Sequence, residues 1–130
     1  MLDVRLVRQL VSFGAVGLVA TATHVAIAWT AAAVFGMHFL LANLLAAIAA
    51  FWISFRGNAR MTFGTDRPVR ESAPRYLVIA AMSYVFASAI MAFVQSHGLP
   101  GYIYAVSVLC VVPLGSFLLA KLWAFAPANP

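Results

Sequence analysis

The chain has 130 residues, 65% of them hydrophobic and only 8% charged, with a mean hydropathy of +0.99. Water-soluble globular domains carry about 25% charged residues, so that class is excluded. The formal net charge of +5 would suggest nucleic acid in a soluble protein. Here the cations flank apolar runs, where they act as topology determinants and face anionic lipid headgroups, so no nucleic-acid partner is expected.

Charged residues fall in three places: Asp3, Arg5 and Arg8; then Arg56, Arg60, Asp66, Arg67, Arg70, Glu71 and Arg75; then Lys121 alone. Between them lie two charge-free stretches, 9–55 and 76–120. A bilayer core of roughly 30 Å takes about 20 helical residues to span, so each stretch is too long for one crossing and suits two. The reading is an all-α membrane protein with four transmembrane helices in two hairpins. Hairpins return every charge to one side. Five of the eight basic residues lie in the middle segment and none in either hairpin tip. By the positive-inside rule both termini face the cytoplasm, which predicts a multi-pass protein of the inner (cytoplasmic) membrane. The whole chain is expected to form one domain, with almost nothing outside the membrane to host a soluble catalytic unit.

In chain order, helix one is predicted over 10–35, too long an apolar run for a cleavable signal. The turn Gly36-Met37-His38 leads to helix two over 39–55. The segment 56–75 contains Gly57, Gly64, Pro68 and Pro74 and is predicted as a cytoplasmic loop. Helix three is predicted over 76–94, with 95–101 as the second outer tip and helix four over 102–119. Pro113 removes a backbone donor inside helix four, and with Gly115 nearby it predicts a kink.

The two hairpins look like copies. Arg8-Gln9-Leu10-Val11 pairs with Arg75-Tyr76-Leu77-Val78 at an offset of 67. Gly36, Phe55 and Phe63 pair with Gly98, Phe117 and Phe125 at an offset of 62. Each copy starts and ends on one side, so these are parallel repeats about an axis near the membrane normal. Small residues such as Ala46 and Ala50, or Gly14 and Gly17, allow close helix packing where lipid supplies no hydrophobic drive. Four short helices enclose little volume, which favours a homo-oligomer.

Inside the helices His24 is the one ionisable group apart from Tyr and Cys side chains. Charge is costly at that depth, so a hydrogen-bond partner is expected, with Thr21 and Thr23 the nearest candidates. His24 serves either as a proton relay or sugar-hydroxyl contact, or as a bridge between helices. Asn43, with two donors and two lone pairs, needs partners or solvent near the outer end of helix two. The in-membrane serines can bond the carbonyl one turn back. No carboxylate lies within a span, which disfavours efflux of the small multidrug-resistance type, where a first-helix glutamate couples drug to proton. The lone Cys110 forms no internal disulfide, and with three scattered histidines it offers no metal-ligand spacing. No acid/base pair or activated nucleophile can be assembled, so neither an enzyme nor a cofactor is expected.

The sharpest constellation lies at the cytoplasmic ends of helices two and four. Residues 55–63 carry Phe55, Arg56, Asn58, Arg60 and Phe63, and residues 117–125 carry Phe117, Lys121, Trp123 and Phe125. Aromatic rings suit the headgroup level, and Arg or Lys can hold a phosphate there by charge-assisted hydrogen bonds. An ordinary aromatic belt with topology anchors explains the same pattern.

With these helix ends the chain resembles the GtrA-like membrane proteins, whose second and fourth helices close on Asn-Arg-x-Trp-x-Phe. The likeness covers about residues 8–125, from Arg8-Gln9-Leu10-Val11-Ser12-Phe13 through Leu41-Ala42-Asn43-Leu44 to Lys121-Leu122-Trp123-Ala124-Phe125. Asn58 and Phe63 match the first copy of the motif, while Ala59 and Met61 depart from it. Lys121, Trp123 and Phe125 match the second, with Ala120 in place of the Asn. The resemblance implies a role in cell-surface polysaccharide biosynthesis, most often movement of a polyprenyl-phosphate-linked sugar across the cytoplasmic membrane. On that reading the phosphate meets Arg56, Arg60 or Lys121, with Asn58 and Trp123 beside them. The sugar then follows a polar seam containing His24 and Asn43. The alternative is a non-transporting membrane anchor or partner of a glycosyltransferase, bound through the basic segment 56–75.

Overall fold

The computed structural model describes residues 3–128. Among them every regular element is helical. Helix α1 (Val4–Trp29) runs into a π-turn at Thr30–Val34, and α2 (Phe39–Gly57) into a second π-turn at Asn58–Thr62. Helix α3 (Val69–Ser96) is followed by α4 (Gly101–Leu119) and a third π-turn at Ala120–Ala124. All four helices are long and apolar enough to cross a membrane, and large apolar side chains such as Leu18, Phe39, Tyr84 and Leu109 are exposed along them. That surface is stable only in lipid, and the chain is a multi-pass membrane protein.

The chain divides into two compact units, Met1–Gly64 and Thr65–Pro130. In the first, α1 and α2 run antiparallel. Ser12 Oγ meets Thr62 Oγ1 at 2.8 Å, and farther along α1 His24 Nε2 meets Asn43 Oδ1 at 3.0 Å. Val16 and Ala20 of α1 and Ala42 and Ala46 of α2 are buried. Such small side chains let backbones approach where burial from lipid offers no gain. Gly57 marks a close approach: a Cβ there would lie 2.8 Å from Val16 Cγ1.

In the second unit α3 and α4 are also antiparallel, joined by Ser83 Oγ and Ser116 Oγ at 2.7 Å and by Arg75 Nη1 donating to the Trp123 carbonyl at 3.0 Å. Toward the connecting turn they leave an apolar groove of about 410 Å³, lined by Phe86, Ile90, Phe93, Ile103 and Val111, with Ser107 its one hydroxyl. The turn itself is a Schellman close. Leu99 N–H donates to the Val94 carbonyl and Gly98 N–H to that of Gln95, with Gly98 at φ 61. Only glycine takes that left-handed geometry without a Cβ penalty.

The structure shortens the predicted loop 56–75 from both sides. Helix α2 persists through Gly57 and the π-turn to Thr62, and α3 starts at Val69, not at residue 76. Gly57 stays helical because it abuts Val16. Pro68 supplies an extended cap (ψ 145) ahead of α3, and Glu71 sits in the first turn, where the helix dipole favours an acid. Pro74 lies early in α3, where its missing donor opens only the Arg70 carbonyl. Helix α4 continues through Pro113.

The duplication is visible in each unit's own geometry, in a corrected register. Phe63 N–H closes on the Asn58 carbonyl and Phe125 N–H on that of Ala120, both at 2.9 Å, which confirms the offset of 62 for the second helix of each pair. For the first helices the ring pairs Phe13–Phe63 and Tyr76–Phe125 (centroids 6.3 and 5.3 Å apart) set an offset of 63. Buried Gln9 and Val16 then match buried Ser72 and Ile79. The pairing of Arg8 with Arg75 at 67 is one helical turn out. A four-residue slip keeps the same helix face, so apolar patterning does not resolve it.

Candidate functional site

The second π-turn is built around a buried polar chain. Asn58 is 1% exposed. Its Oδ1 accepts from Thr62 Oγ1 at 2.8 Å, and its Nδ2 faces Ser54 Oγ at 3.4 Å. Thr62 in turn meets Ser12 across the helix pair. Widening the last turn by one residue swings Phe63 onto Phe13 and directs Asn58 inward. Asn58, predicted as a substrate contact, has its side chain tied into this buried chain where α2 ends against α1. Arg56 and Arg60 flank it on the exposed side, and neither guanidinium has a partner among the described residues. Phe51, Trp52 and Phe55 form an aromatic group one turn before them, with Phe51 stacked on Phe55 at 6.1 Å.

The third π-turn repeats this frame with apolar filling. Ala120 and Ala124 stand where the first unit has Asn58 and Thr62. Lys121 Nζ lies 5.8 Å above the Phe117 ring. Trp123 is 39% exposed, and its ring lies 5.6 Å under the Arg75 guanidinium. Lys121 occupies the place of Ala59, and Trp123 that of Met61. Each unit thus carries its own cation-and-aromatic helix end, Arg56 and Arg60 in the first, Lys121 and Trp123 in the second.

Two residues that sequence reasoning did not single out hold this second end together. Arg75 grips Trp123. Arg67, with its side chain 10% exposed, donates from Nε to the Ala126 carbonyl (2.8 Å) and from Nη2 to the Pro127 carbonyl (3.1 Å), and it pairs with Glu71 at 3.1 Å. Thr65 Oγ1 adds a bond to the Phe125 carbonyl at 3.1 Å. Position in the sequence gave no signal for these, because the acceptors are backbone carbonyls 48 to 60 residues away. Two of the five basic residues of 56–75 are thereby engaged within their own unit. Arg56, Arg60 and Arg70 remain unpaired among the described residues.

Higher in the first unit the structure brings together two predicted residues, His24 and Asn43, across α1 and α2. The partner of His24 is Asn43 and neither of the threonines, since Thr23 Oγ1 donates to the Val19 carbonyl in its own helix. Twelve residues separate His24 from Ser12. At 1.5 Å per residue the pair lies about 18 Å along α1 from the Ser12–Thr62 contact and about 24 Å from Arg8, less than the roughly 30 Å of a hydrocarbon core. With Asn43 Oδ1 accepting, His24 Nε2 donates. His24 Nδ1 is then left as an acceptor and Asn43 Nδ2 as a donor, each open to a hydroxyl of its own. The equivalent places in the second unit are Ala87 and Ala105, so the pair is a property of the first unit alone. Among the described residues no group of three His, Cys, Asp or Glu side chains could hold a metal ion.

A family model described as GtrA/DPMS, transmembrane domain, matches residues 12–125. The chain belongs to that family. The match spans both units and includes both helix-end turns, His24 and Asn43. Neither a curated protein nor a solved structure matches the chain. GtrA/DPMS membership makes the chain a membrane protein of glycan biosynthesis.

Proposed function

We propose that this GtrA/DPMS protein translocates a polyprenyl-phosphate-linked sugar across the cytoplasmic (inner) membrane, with both termini on the cytoplasmic side. The observation that carries the reading is the His24–Asn43 pair. It is a polar site at hydrocarbon depth that presents an acceptor and a donor to a hydroxylated ligand. Polar side chains inside a membrane are expensive and mark pathways. The cations at the charged ends, Arg56 or Arg60 in one unit or Lys121 in the other, suit the phosphate, while the prenyl tail stays in lipid. Movement of this kind breaks no covalent bond, so no catalytic residue, metal or cofactor is assigned.

The test is transbilayer movement of a short-chain polyprenyl-phosphate sugar in proteoliposomes. Wild-type protein is expected to accelerate it. Arg56→Ala with Lys121→Ala is expected to slow it by about tenfold or more, the loss of a charge-assisted hydrogen bond worth roughly 1.5–3 kcal/mol. No acceleration by folded, correctly oriented protein overturns the translocase reading. Co-purification of a glycosyltransferase through the exposed Arg56, Arg60 and Arg70 would then support a membrane anchor instead.

A further inference from the structure

The two hairpin tips close alike and differ in what they expose. Each turns on a left-handed glycine, Gly36 at φ 65 and Gly98 at φ 61. Ahead of Gly98 stand Gln95, Ser96 and His97, all polar and exposed, whereas ahead of Gly36 stand Ala33, Val34 and Phe35. Phe39 and Leu40 follow on the other side of the first turn. Val34, Phe35, Phe39 and Leu40 are between 62% and 77% exposed. Within residues 33–41 the one polar side chain is His38, and its Nδ1 accepts from Leu40 N–H at 3.2 Å. So large an apolar surface is costly in water.

The backbone of this tip suits a medium without water. Phe35 N–H closes on the Thr30 carbonyl (3.3 Å) through the first π-turn, Met37 N–H on that of Ala31 (3.0 Å) and Ala42 N–H on that of His38 (2.9 Å). In hydrocarbon an open donor finds no water, so immersion demands closure within the segment. The length of α2 agrees. Residues 39 to 56, from the helix start to Arg56, rise about 25 Å, and residues 101 to 121, from the start of α4 to Lys121, rise about 30 Å. A hydrocarbon core is roughly 30 Å thick, so with Arg56 at the headgroup level α2 starts about 5 Å inside it.

Asn43 lies one turn, about 6 Å, below Phe39. Helical side chains lean toward the N-terminus, which sets Asn43 under Phe39 and Leu40, its neighbours one turn back. The His24–Asn43 pair is therefore shallow from this end, and the apolar tip stands between it and water.

We propose that residues 33–40 form an apolar plug, held among the lipid chains of the leaflet away from the charged ends, that keeps the His24–Asn43 pair dry at rest. The second tip, with its run Gln95-Ser96-His97, reaches water. The plug rests on the geometry of the first unit and not on what the pair carries.

Cysteine labelling tests it in the full-length protein carrying Cys110→Ser, because Cys110 is exposed. Met37 and Leu99 each follow a tip glycine and form a matched pair. Met37→Cys and Leu99→Cys are placed in lipid nanodiscs, which are open on both faces, and treated with a sulfonated, membrane-impermeant maleimide. Rates are normalised to the same variants unfolded in SDS. Leu99→Cys is expected to label at least about tenfold faster, since Met37→Cys reacts only from the fraction of molecules whose tip has left the lipid. Shorter-chain lipid is expected to raise the Met37→Cys rate and leave that of Leu99→Cys unchanged. Asn43→Cys is expected to label as slowly as Met37→Cys, and to gain about tenfold when Phe39→Ser or Leu40→Ser opens the plug. Equal rates for Met37→Cys and Leu99→Cys overturn the immersion. Fast labelling of Asn43→Cys with the tip intact overturns the seal, as does a slow rate that neither serine changes. A protected tip in a protein that moves no lipid would overturn the translocase reading and leave the plug standing.

Discussion

Asn58→Ala separates a positioning role from substrate contact, because the second unit already contains the control. Ala120 occupies the equivalent place, and its π-turn closes with the same 2.9 Å backbone bond. The substitution is therefore expected to keep the turn and to break the side-chain chain Ser54–Asn58–Thr62. The 2.8 Å bond from Thr62 is well formed, whereas the 3.4 Å contact to Ser54 is weak. Side-chain hydrogen bonds within membrane proteins average about 0.6 kcal/mol and reach about 1.7. Thr62 keeps Ser12 as partner, and Ser54 can turn to the carbonyl one turn back, so neither is stranded. With about 1 kcal/mol for the lost packing of a fully buried amide, the total is about 2 kcal/mol. The assay is reversible unfolding in mixed micelles, extended to a double-mutant cycle with Thr62→Val. A coupling of about 1 kcal/mol between the two positions is expected, since they share one bond. Transport by the folded Asn58→Ala protein is expected to stay within about threefold of wild type, a difference below 1 kcal/mol. Zero coupling would refute the network. A hundredfold loss of transport without loss of stability would return Asn58 to direct contact with the substrate.

Two further substitutions probe the packing of each unit. Gly57→Leu drives a side chain into Val16, whose β-branched χ1 leaves little freedom to yield. It is expected to destabilise by about 1–3 kcal/mol in the same unfolding assay, with part recovered on adding Val16→Ala. Full stability of Gly57→Leu would refute the close approach of α1 and α2. Arg67→Ala removes the bonds to the Ala126 and Pro127 carbonyls together with the Glu71 pair. Limited proteolysis is expected to cut beyond Phe125 faster in this variant, and Arg67→Lys is expected not to restore protection, because an ammonium cannot reproduce the planar fork. Unchanged cleavage in Arg67→Ala would sink the clamp.

The membrane class, the number of spans and the family were legible in the chain because all three are one-dimensional. Hydropathy integrates over about 20 residues, and the three clusters of charge end each pair of spans without any knowledge of contacts. His24 and Asn43 stood out for the same reason, as polar groups in apolar runs. Helix ends were less legible. Gly57, Pro68 and Pro74 read as loop residues, yet a glycine can mark close packing and a proline can stand at or just inside a helix start. Only the fold distinguishes these uses. The repeat was visible at an offset of 62 where Phe63 and Phe125 mark the turns. It slipped by one turn in α1 and α3, where a helical pattern matches itself every three or four residues.

What the tertiary structure alone decided is which polar groups meet. His24 finds Asn43 and not the threonines on its own helix, Asn58 turns inward to Thr62, and Arg67 and Arg75 grip carbonyls far along the chain. Gln9 is left buried with an open acceptor. Composition sets the solvent a chain must fold in, because transfer free energy sums over residues in any order. Hydrogen bonds are short and directional, so their pairing depends on how the backbones of two helices are brought together, and that is a property of the packed units.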